Sequence, residues 1–304
     1  MNISVIIPTY QRLDMLKEAI DSVLKQTVLP KEIIIGDDSK DDLTEKYVNN
    51  DLKPVPGVEI KYFHHKPSLK QGRNVDFLIN KASCELLLLL HDDDLLIDDC
   101  IETLLQPLVK HSEIVASYGN QVFIFEDGSE VDDSLKINKK YYRTKEREGI
   151  VDGEWASVVQ MFPNDAFIVR TEAARSIGYY ANGKGGDAVD FYFGFRLGKS
   201  NKFYYVNKNT AKYRICSDSV SGSGSTNFIS ATLKVLLQEL NAPMRETPEV
   251  QHKIKQLMNP AISEVIRGGD KNLAIKWMTS KYYNLFSLKG FKRIIMLALP
   301  YKSV

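Results

Sequence analysis

Apolar runs alternate with amphipathic segments along the first third of the chain. The apolar runs predict four strands, at Ile3–Ile7, Glu32–Gly36, Val58–Phe63 and Leu86–Leu90. Apolar positions at helical spacing between them predict helices at Leu13–Gln26, Asp41–Asn49 and Gly72–Ala82. The fourth run is apolar at every position, which is typical of a central strand covered on both faces. Repeated strand–helix–strand units of this length predict an α/β fold, with a mostly parallel sheet flanked by helices.

The pattern is less regular from residue 114 to about residue 214. It predicts short strands at Ile114–Tyr118, Val122–Phe125, Ala166–Arg170 and Phe203–Val206. The charged stretch Lys136–Glu148 between them is predicted to be mobile, and Asn182–Gly186 is a glycine-rich loop. The Ser/Gly-rich run Ser217–Thr226 predicts a linker or a lid. From Phe228 onward several helices are predicted, so we expect a helical C-terminal region.

The composition narrows the class of protein. The 304 residues carry 40 Lys and Arg against 39 Asp and Glu, and this balance argues against a surface built for nucleic acid. Cys84, Cys100 and Cys216 stand alone, which predicts neither a disulfide framework nor a zinc site. The chain begins in a strand and its apolar runs are short, so we expect no signal peptide and no membrane span. A cytoplasmic location fits these features best.

Three polar clusters directly follow predicted central strands. They are Pro8-Thr9-Tyr10, Asp37-Asp38-Ser39 and His91-Asp92-Asp93-Asp94. Open α/β sheets bind ligands in the crevice outside the carboxyl ends of their strands. We therefore expect a ligand site where these three clusters meet.

The triplet Asp92-Asp93-Asp94 has two interpretations. In a crevice of low dielectric constant, adjacent carboxylates repel one another unless a cation lies among them, and Mg²⁺ and Mn²⁺ prefer such oxygen ligands. Alternatively, the triplet is an acidic turn whose carboxylates favour the N-terminus of a helix beginning near Asp98. The residues alone leave both interpretations open.

Two further pairs of residues are equally open to a functional or a structural interpretation. Asp37 and Asp38 can accept hydrogen bonds from a nucleobase or a ribose, or they can cap a helix beginning at Asp41. Arg73 and Asn74, at a predicted helix start, can meet a phosphate, or Arg73 can be an ordinary surface side chain.

Together, these motifs resemble a known family. Four of them follow in order: Ser4-Val5-Ile6-Ile7-Pro8-Thr9-Tyr10-Gln11-Arg12, Gly36-Asp37-Asp38-Ser39, Gly72-Arg73-Asn74 and His91-Asp92-Asp93-Asp94-Leu95-Leu96. They are similar to the successive signatures of inverting family 2 glycosyltransferases with the GT-A fold. The stretch Val189–Leu197 is similar to the acceptor-side helix of that family, and Tyr213-Arg214 with Ser217–Ser221 is similar to its Tyr-Arg…Ser element.

The resemblance covers residues 2–225 and implies a division of the chain. Residues 1–225 would form the GT-A domain, with a nucleotide-binding half over 1–112 and an acceptor-binding half over 113–225. Residues 226–304 would form the helical C-terminal region.

The resemblance also implies roles for particular residues. The general base would be Asp190, with Asp187 as the alternative because Val189 stands where the family has Glu. The metal, Mn²⁺ or Mg²⁺, would be held by Asp93 and Asp94; the Asp-x-Asp pattern can be laid on Asp92–Asp94 or on His91–Asp93, so Asp92 is an alternative ligand. The residues that would bind the nucleotide-sugar are Pro8, Thr9, Tyr10, Arg12, Asp37, Asp38, Arg73, Asn74 and Asp92.

The expected reaction is transfer of a sugar, with inversion, from a nucleoside-diphosphate donor to a glycan or lipid-linked acceptor. Bacterial surface polysaccharide synthesis is the predicted setting. A sugar nucleotidyltransferase would carry a glycine-rich loop where Pro8–Arg12 stands, and a phosphatase would not have Leu95-Leu96 after the acidic triplet. A non-catalytic nucleotide- or glycan-binding module on the same fold is the remaining alternative, favoured by Val189.

The C-terminal stretch Lys271–Val304 is basic and aromatic, and it has no Asp or Glu. This composition suits an anionic membrane surface, which predicts peripheral contact with the inner face of the plasma membrane. The alternative is a helical subdomain that packs on the rest of the chain or joins two copies in a homodimer.

Overall fold

The computed structural model describes residues 1–216 and 227–298. The predicted lid Ser217–Thr226 and the last residues of the basic stretch lie outside the described residues. Within them, one sheet of nine strands is formed. The strands are β1 (Ile3–Thr9), β2 (Glu32–Asp37), β3 (Glu59–His64), β4 (Leu86–Leu89), β5 (Leu95–Leu96), β6 (Ile114–Ile124), β7 (Gly149–Asp152), β8 (Phe167–Arg170) and β9 (Lys202–Arg214).

The strands lie in the order β3-β2-β1-β4-β8-β6-β9-β5, with β7 paired to β9. The first four strands of this order are parallel, as predicted, and β6 is also parallel to β9. Beyond β4 the pairing becomes mixed, since β8 runs antiparallel to both β4 and β6, and β5 and β7 run antiparallel to β9. The expectation of a mostly parallel sheet is therefore correct for the first half of the sheet only.

Helices cover both faces of the sheet. They are α1 (Leu13–Leu24), α2 (Leu43–Lys46), α3 (Gln71–Lys81), α4 (Cys100–Lys110), α5 (Ser134–Lys140), α6 (Gly153–Val158), α7 (Thr171–Ile177), α8 (Val189–Gly198), α9 (Phe228–Gln238), α10 (Ala242–Arg245), α11 (Pro248–Arg267), α12 (Lys271–Met278) and α13 (Leu288–Ala298). Short turns of other helical type occur at Tyr47–Asp51, Lys145–Arg147, Ala181–Gly183 and Gly186–Ala188.

The central strand β4 is buried on both faces because both of its faces are leucine. Leu86 and Leu88 join an apolar cluster with α1 and α4, whereas Leu87 and Leu89 join a second cluster with α3 and α8. The alternation follows from the two-residue repeat of a strand. The polar segment beginning at His91 is thus held at the carboxyl end of a rigid strand.

The helices α9, α11 and α12 belong to the second of these clusters. Leu233, Ile254 and Trp277 are buried in it together with Leu78 of α3. The predicted helical C-terminal region is therefore present and packs on the same core as one face of the sheet. No helix within the described ranges combines the length and apolar character needed to cross a bilayer.

Two expectations for the middle of the chain are wrong. The two strands predicted at Ile114–Tyr118 and Val122–Phe125 are one strand, β6, whose pairing with β9 is irregular between Tyr118 and Gln121. The stretch Lys136–Glu148, predicted to be mobile, is largely helical. It is fixed by its Arg143, which is buried and donates hydrogen bonds of 2.8 Å to the Met161 carbonyl and to Gln121 Oε1.

Candidate active site

A cavity of about 550 Å³ opens at the carboxyl ends of β1, β2 and β4. Ten of the residues predicted for the site line it: Pro8, Thr9, Tyr10, Arg12, Asp38, Asn74, Asp92, Asp93, Asp94 and Asp190. His91, which the sequence placed in the third polar cluster without a role of its own, also lines the cavity. Residues that were not predicted for the site complete the wall: Lys40, Ser68, Lys70, Gln71, Asn164, Tyr213 and Arg214. The three polar clusters that follow β1, β2 and β4 therefore meet, as the topology of an α/β sheet requires.

Asp92 and Asp93 are tied to the loop after β1. The Asp92 carboxylate accepts a hydrogen bond of 2.7 Å from Thr9 Oγ1 and one of 3.3 Å from the Tyr10 amide. The Arg12 guanidinium lies 2.6 Å from Asp93 Oδ2 and 3.6 Å from Asp92 Oδ1. One arginine thus balances part of the charge of two carboxylates at the cavity wall.

Asp94 lies deeper and meets a carboxylate from another part of the chain. Asp94 and Asp165 are both buried, and suitable ligand atoms of His91, Asp94 and Asp165 all lie within 4.8 Å of one another. His91 Nε2 and Asp165 Oδ1 are buried and have no hydrogen-bond partner. Buried polar atoms are nearly always paired, so these two point to a group that the site is built to receive.

Burial and mutual repulsion disfavour the charged forms of the carboxylates in this cluster, so the pKa values of Asp92 and Asp94 are raised. Burial, with the charge of Asp93, raises the pKa of Asp92 to about 6. Burial and the charges of Asp165 and Asp93 raise the pKa of Asp94 well above its usual value. Burial lowers the pKa of His91, but the nearby carboxylates outweigh it, Asp165 most of all, and the net shift is upward. A cation in this cluster would relieve the repulsion.

Arg214, at the end of β9, holds the acidic loop in place. Its amide donates a hydrogen bond of 2.6 Å to Asp94 Oδ1, and its Nε donates one of 2.9 Å to the Asp93 carbonyl. The same guanidinium lies 2.6 Å from Glu18 of α1. Because these contacts occupy its backbone amide and its guanidinium, Arg214 acts by positioning the carboxylates of the acidic loop.

The predicted base-binding pair, Asp37 and Asp38, divides into two roles. Asp38 lines the cavity, and its Oδ1 accepts a hydrogen bond of 2.9 Å from the Leu69 amide. Asp37 is buried behind it and accepts bonds from the Tyr62 hydroxyl at 2.7 Å and from the Ser39 amide at 2.8 Å. Asp37 therefore supports the loop and does not line the cavity.

Arg73 and Asn74 begin α3 but face different surroundings. Asn74 is buried and donates a hydrogen bond of 2.7 Å to the Gly36 carbonyl, which joins α3 to the end of β2. A side chain at Gly36 would place its Cβ 2.1 Å from Asn74 Oδ1, so it would have to displace the Asn74 side chain from this hydrogen bond. Arg73 is exposed, does not line the cavity, and stacks its guanidinium 5.0 Å from the Tyr180 ring.

Of the two candidate bases, Asp190 faces the cavity and Asp187 does not. Asp190 Oδ1 accepts a hydrogen bond of 2.8 Å from the hydroxyl of Tyr179, which is fully buried. Burial and the charge of Asp190 raise the pKa of Tyr179 well above its usual value, so this hydroxyl stays protonated and donates. Asp187 instead accepts a hydrogen bond of 2.7 Å from the Asn227 amide, just before α9.

Tyr179 is itself fixed by Asp76 of α3. The Asp76 carboxylate accepts hydrogen bonds from the amides of Tyr179 and Tyr180, the latter at 2.9 Å. This contact sets the turn between α7 and α8, and with it the position of Tyr179. The sequence carried no signal for this pair, because Asp76 and Tyr179 lie in different elements about a hundred residues apart.

Comparison with known proteins agrees with this geometry. Residues 4–148 match the sequence model of the family described as Glycosyl transferase family 2, so the resemblance predicted from the motifs is confirmed over this part of the chain. A relative in Campylobacter jejuni, GalNAc(5)-diNAcBac-PP-undecaprenol beta-1,3-glucosyltransferase, is 38% identical over 106 residues. That match spans 34% of this chain and only 33% of the relative. Glycosyltransferase GlyG of Streptococcus pneumoniae is 25% identical over 228 residues, which cover 72% of each chain.

Solved glycosyltransferases share the fold. The structure of S. aureus TarS residues 1–349 superposes with a TM-score of 0.64 at 16% identity, covering 98% of this chain and 88% of that one. The mannosyltransferase PcManGT of Pyrobaculum calidifontis superposes with a TM-score of 0.61 at 11% identity, covering 98% of this chain and 86% of that one. The predicted GT-A fold, with a sheet flanked by helices and a helical C-terminal region, is confirmed.

Proposed function

We propose that the protein transfers a sugar, with inversion, from a nucleoside-diphosphate donor to a glycan or lipid-linked acceptor. The observation that carries this proposal is the acidic cluster Asp92–Asp94 in the cavity wall, where the buried His91 Nε2 has no partner and where Asp190, a carboxylate suited to act as a base, lines the same cavity. The family match over residues 4–148 supports glycosyl transfer as the type of chemistry.

In this proposal one part of the chain binds the donor and another part binds the acceptor. Residues 1–112 bind the donor, with Pro8, Thr9, Tyr10 and Asp38 around the nucleoside and Arg12 near the diphosphate. Residues 113–225 receive the acceptor, and residues 226–304 form the helical C-terminal region. TarS has been solved with UDP and with UDP-GlcNAc, and PcManGT with GDP-Man, which supports a nucleotide-sugar as the donor class.

The reaction requires one displacement at the anomeric carbon. Asp190 takes the proton of an acceptor hydroxyl as that oxygen bonds to C1, and the bond from C1 to the diphosphate oxygen breaks on the opposite side. The diphosphate leaves with the electron pair, and the configuration at C1 inverts. Tyr179 holds the Asp190 carboxylate in place through its hydrogen bond.

A divalent cation fits the acidic cluster. His91, Asp94 and Asp165 would hold it, because their ligand atoms converge and two of them are buried without partners. Asp93 and Asp92, predicted as ligands, pair with Arg12 and would border the ion. An imidazole ligand favours a transition ion such as Mn²⁺ over Mg²⁺, which prefers oxygen ligands only. When bound, such an ion supplies Lewis-acid stabilisation of the leaving diphosphate.

The proposed setting is bacterial surface polysaccharide synthesis at the cytoplasmic side of the membrane. The C. jejuni relative is named for a polyprenol-linked acceptor, which supports a lipid-linked acceptor here. One partner predicted from the sequence belongs to the same proposal, a membrane surface contacted through residues 271–304, and a second copy joined through the C-terminal helices is the alternative to it.

The test is a thermal-shift screen of nucleoside diphosphates and nucleotide-sugars, with and without Mn²⁺, followed by transfer and donor-hydrolysis assays with the donor that binds. We expect stabilisation by one nucleotide class that depends on Mn²⁺, and turnover that Asp94→Asn, which removes a charged ligand of the ion, abolishes. Asp132→Asn, an exposed aspartate far from these contacts in sequence, is the matched control and should leave both unchanged.

Two results would contradict the proposal. Nucleotide binding without turnover for any donor would identify a binding module. Release of pyrophosphate from a nucleoside triphosphate and a sugar phosphate would identify a nucleotidyltransferase.

A further inference from the structure

The outward face of α13 is apolar. Phe286, just before the helix, is 98% exposed, Leu288 is 92% exposed and Phe291 is 64% exposed. Ile294 and Ile295 are also exposed and continue the same face one turn further along. Exposed apolar side chains are normal when they are scattered singly, but a contiguous apolar stripe marks a surface that something covers.

The opposite face of α13 is hydrogen-bonded to α11 and α12, and these contacts orient the apolar side chains outward. Arg293 points inward, is buried, and donates hydrogen bonds of 3.0 Å and 2.6 Å to the Asn259 carbonyl of α11. Lys271 Nζ of α12 donates one of 2.7 Å to the Leu297 carbonyl. The apolar stripe is thus presented outward on a helix fixed to α11 and α12.

The charged residues of the segment that carries the stripe are all positive. Residues 271–298 contain no Asp or Glu. Lys289 and Lys292 are exposed and lie beside Phe291 on the helix. Among the described residues, Lys281 of the preceding segment pairs with Glu246, whereas the described ion pairs include neither Lys289 nor Lys292. A partner that covers the stripe must therefore offer both an apolar interior and negative charge at its edge.

We propose that this face of α13, with Phe286, docks in the headgroup region of a bilayer that carries anionic lipids. In such a layer the five apolar side chains enter the acyl boundary while Lys289 and Lys292 meet lipid phosphates, which is the arrangement typical of interfacial helices. The helix has 11 residues, about 16 Å of length, and so lies in the interface and does not cross it.

A second copy of the chain suits the surface less well. In a twofold dimer the same patch faces itself, which would bring Lys289 and Lys292 toward their own copies. No carboxylate of residues 271–298 is available there to receive them. Lysine is also depleted from the centres of protein interfaces. The inference deepens the proposed membrane contact of residues 271–304, and because it rests on residues outside the cavity it can fail while the proposed transfer reaction holds.

The test is co-sedimentation of the full chain with vesicles of phosphatidylcholine alone or mixed with phosphatidylglycerol. We expect binding to the mixed vesicles that weakens as salt rises. Lys289→Gln with Lys292→Gln should lower the partition coefficient by roughly twenty-five-fold, at about fivefold for each lysine. Leu288→Ser with Phe291→Ser should lower it at least as much. Leu135→Ser, which truncates a leucine 67% exposed on α5, is the control and should change nothing.

A second measurement does not depend on loss of binding. In Phe291→Trp, brominated lipids should quench the new tryptophan, while in the unmodified chain Trp277 is buried and should be quenched little. Equal partition of every variant, absence of quenching at position 291, or a dimer in analytical ultracentrifugation that Leu288→Ser with Phe291→Ser dissociates would overturn the proposal.

Discussion

Buried carboxylates occur at both ends of the parallel strands, in opposite circumstances. At the amino ends, Glu32 of β2 is fully buried and accepts hydrogen bonds from Ser4 Oγ at 2.5 Å, Lys61 Nζ at 2.5 Å and the Ser83 amide at 2.6 Å. Burial opposes its ionisation, but these donors, Lys61 first, outweigh it and lower its pKa to about 2. At the carboxyl ends, Asp92 and Asp94 have raised pKa values and share their site with unpaired buried atoms.

This difference in hydrogen bonding and pKa distinguishes a carboxylate that stabilises the fold, such as Glu32, from carboxylates that serve a ligand site, such as Asp92 and Asp94. A buried charge whose bonds are all made stabilises the fold, and nothing further needs to bind there. A buried cluster with incomplete bonding costs folding free energy, and the fold retains it where a ligand completes it. Substitutions at the amino end should therefore change stability, and substitutions at the carboxyl end should change activity and ligand binding.

The largest expected effect is on activity at the carboxyl end. Asp190→Asn removes the proposed proton acceptor, so turnover should fall by roughly 10²–10⁴-fold while nucleotide affinity stays the same. Steady-state transfer assays and isothermal titration with the nucleotide measure the two quantities. Asp187→Asn is the matched control, because Asp187 contacts the Asn227 amide and does not line the cavity. A larger loss of turnover in the control would transfer the role to Asp187.

The second effect is on the stability of the protein, through Glu32 at the amino ends of the parallel strands. Glu32→Gln should lower the free energy of unfolding at pH 7 by about 3 kcal/mol, since the pKa of Glu32 falls from 4.5 to about 2 on folding. A lowered carboxyl pKa stabilises the fold above the unfolded value, and this contribution is lost as pH falls from about 4.5 toward 2. The difference between the two proteins in urea unfolding should therefore narrow over that range. Glu59→Gln, which removes the exposed partner of Lys61, should cost less than about 0.5 kcal/mol.

The third effect tests whether the acidic cluster is completed by a cation. Asp165→Asn should leave the metal-free protein as stable or more stable at pH 8, because it removes one carboxylate from a repelling group. The variant should also lose the stabilisation by Mn²⁺. For the unchanged protein, Mn²⁺ at one hundred times its Kd should raise the free energy of unfolding by about 2.7 kcal/mol. Thermal unfolding with and without Mn²⁺ measures both. If the variant keeps the full Mn²⁺ response, the ion lies elsewhere, at Asp92 or Asp93.

The contrast between the two ends also explains what the sequence could predict. The strands β1 to β4 and the helices α1 and α3 were predicted to within a few residues, because their apolar periods are local and uninterrupted. The carboxylates that directly follow those strands were predicted for the same reason. By contrast, β6 was predicted as two strands because Gly119 and Asn120 interrupt its pattern at the irregular pairing with β9.

The residues that were missed are brought to the site by long-range pairing. Asp165 carries no motif, and it reaches His91 because β8 pairs antiparallel with β4, where the Ala166 amide donates to the Leu89 carbonyl at 2.7 Å. Nothing in the local pattern around Asn164 indicates that pairing. Tyr179 was missed likewise, since its partner Asp190 lies in the next helix and its anchor Asp76 in α3.

The smallest expected effect concerns a carboxylate that combines features of both ends. Asp190 lines the cavity like the acidic cluster, yet one of its oxygens is held by a buried donor, as Glu32 is. Tyr179→Phe removes that donor and keeps the ring, so Asp190 loses its orientation but not its charge. Turnover should fall by about tenfold, roughly the value of one hydrogen bond to a charged group, with nucleotide affinity unchanged. Tyr180→Phe, whose ring lies under Arg73 and whose amide is held by the same Asp76, is the control in the same assay. If both variants keep full turnover, the Tyr179 hydroxyl does not position Asp190, and the packing of α8 alone orients that carboxylate.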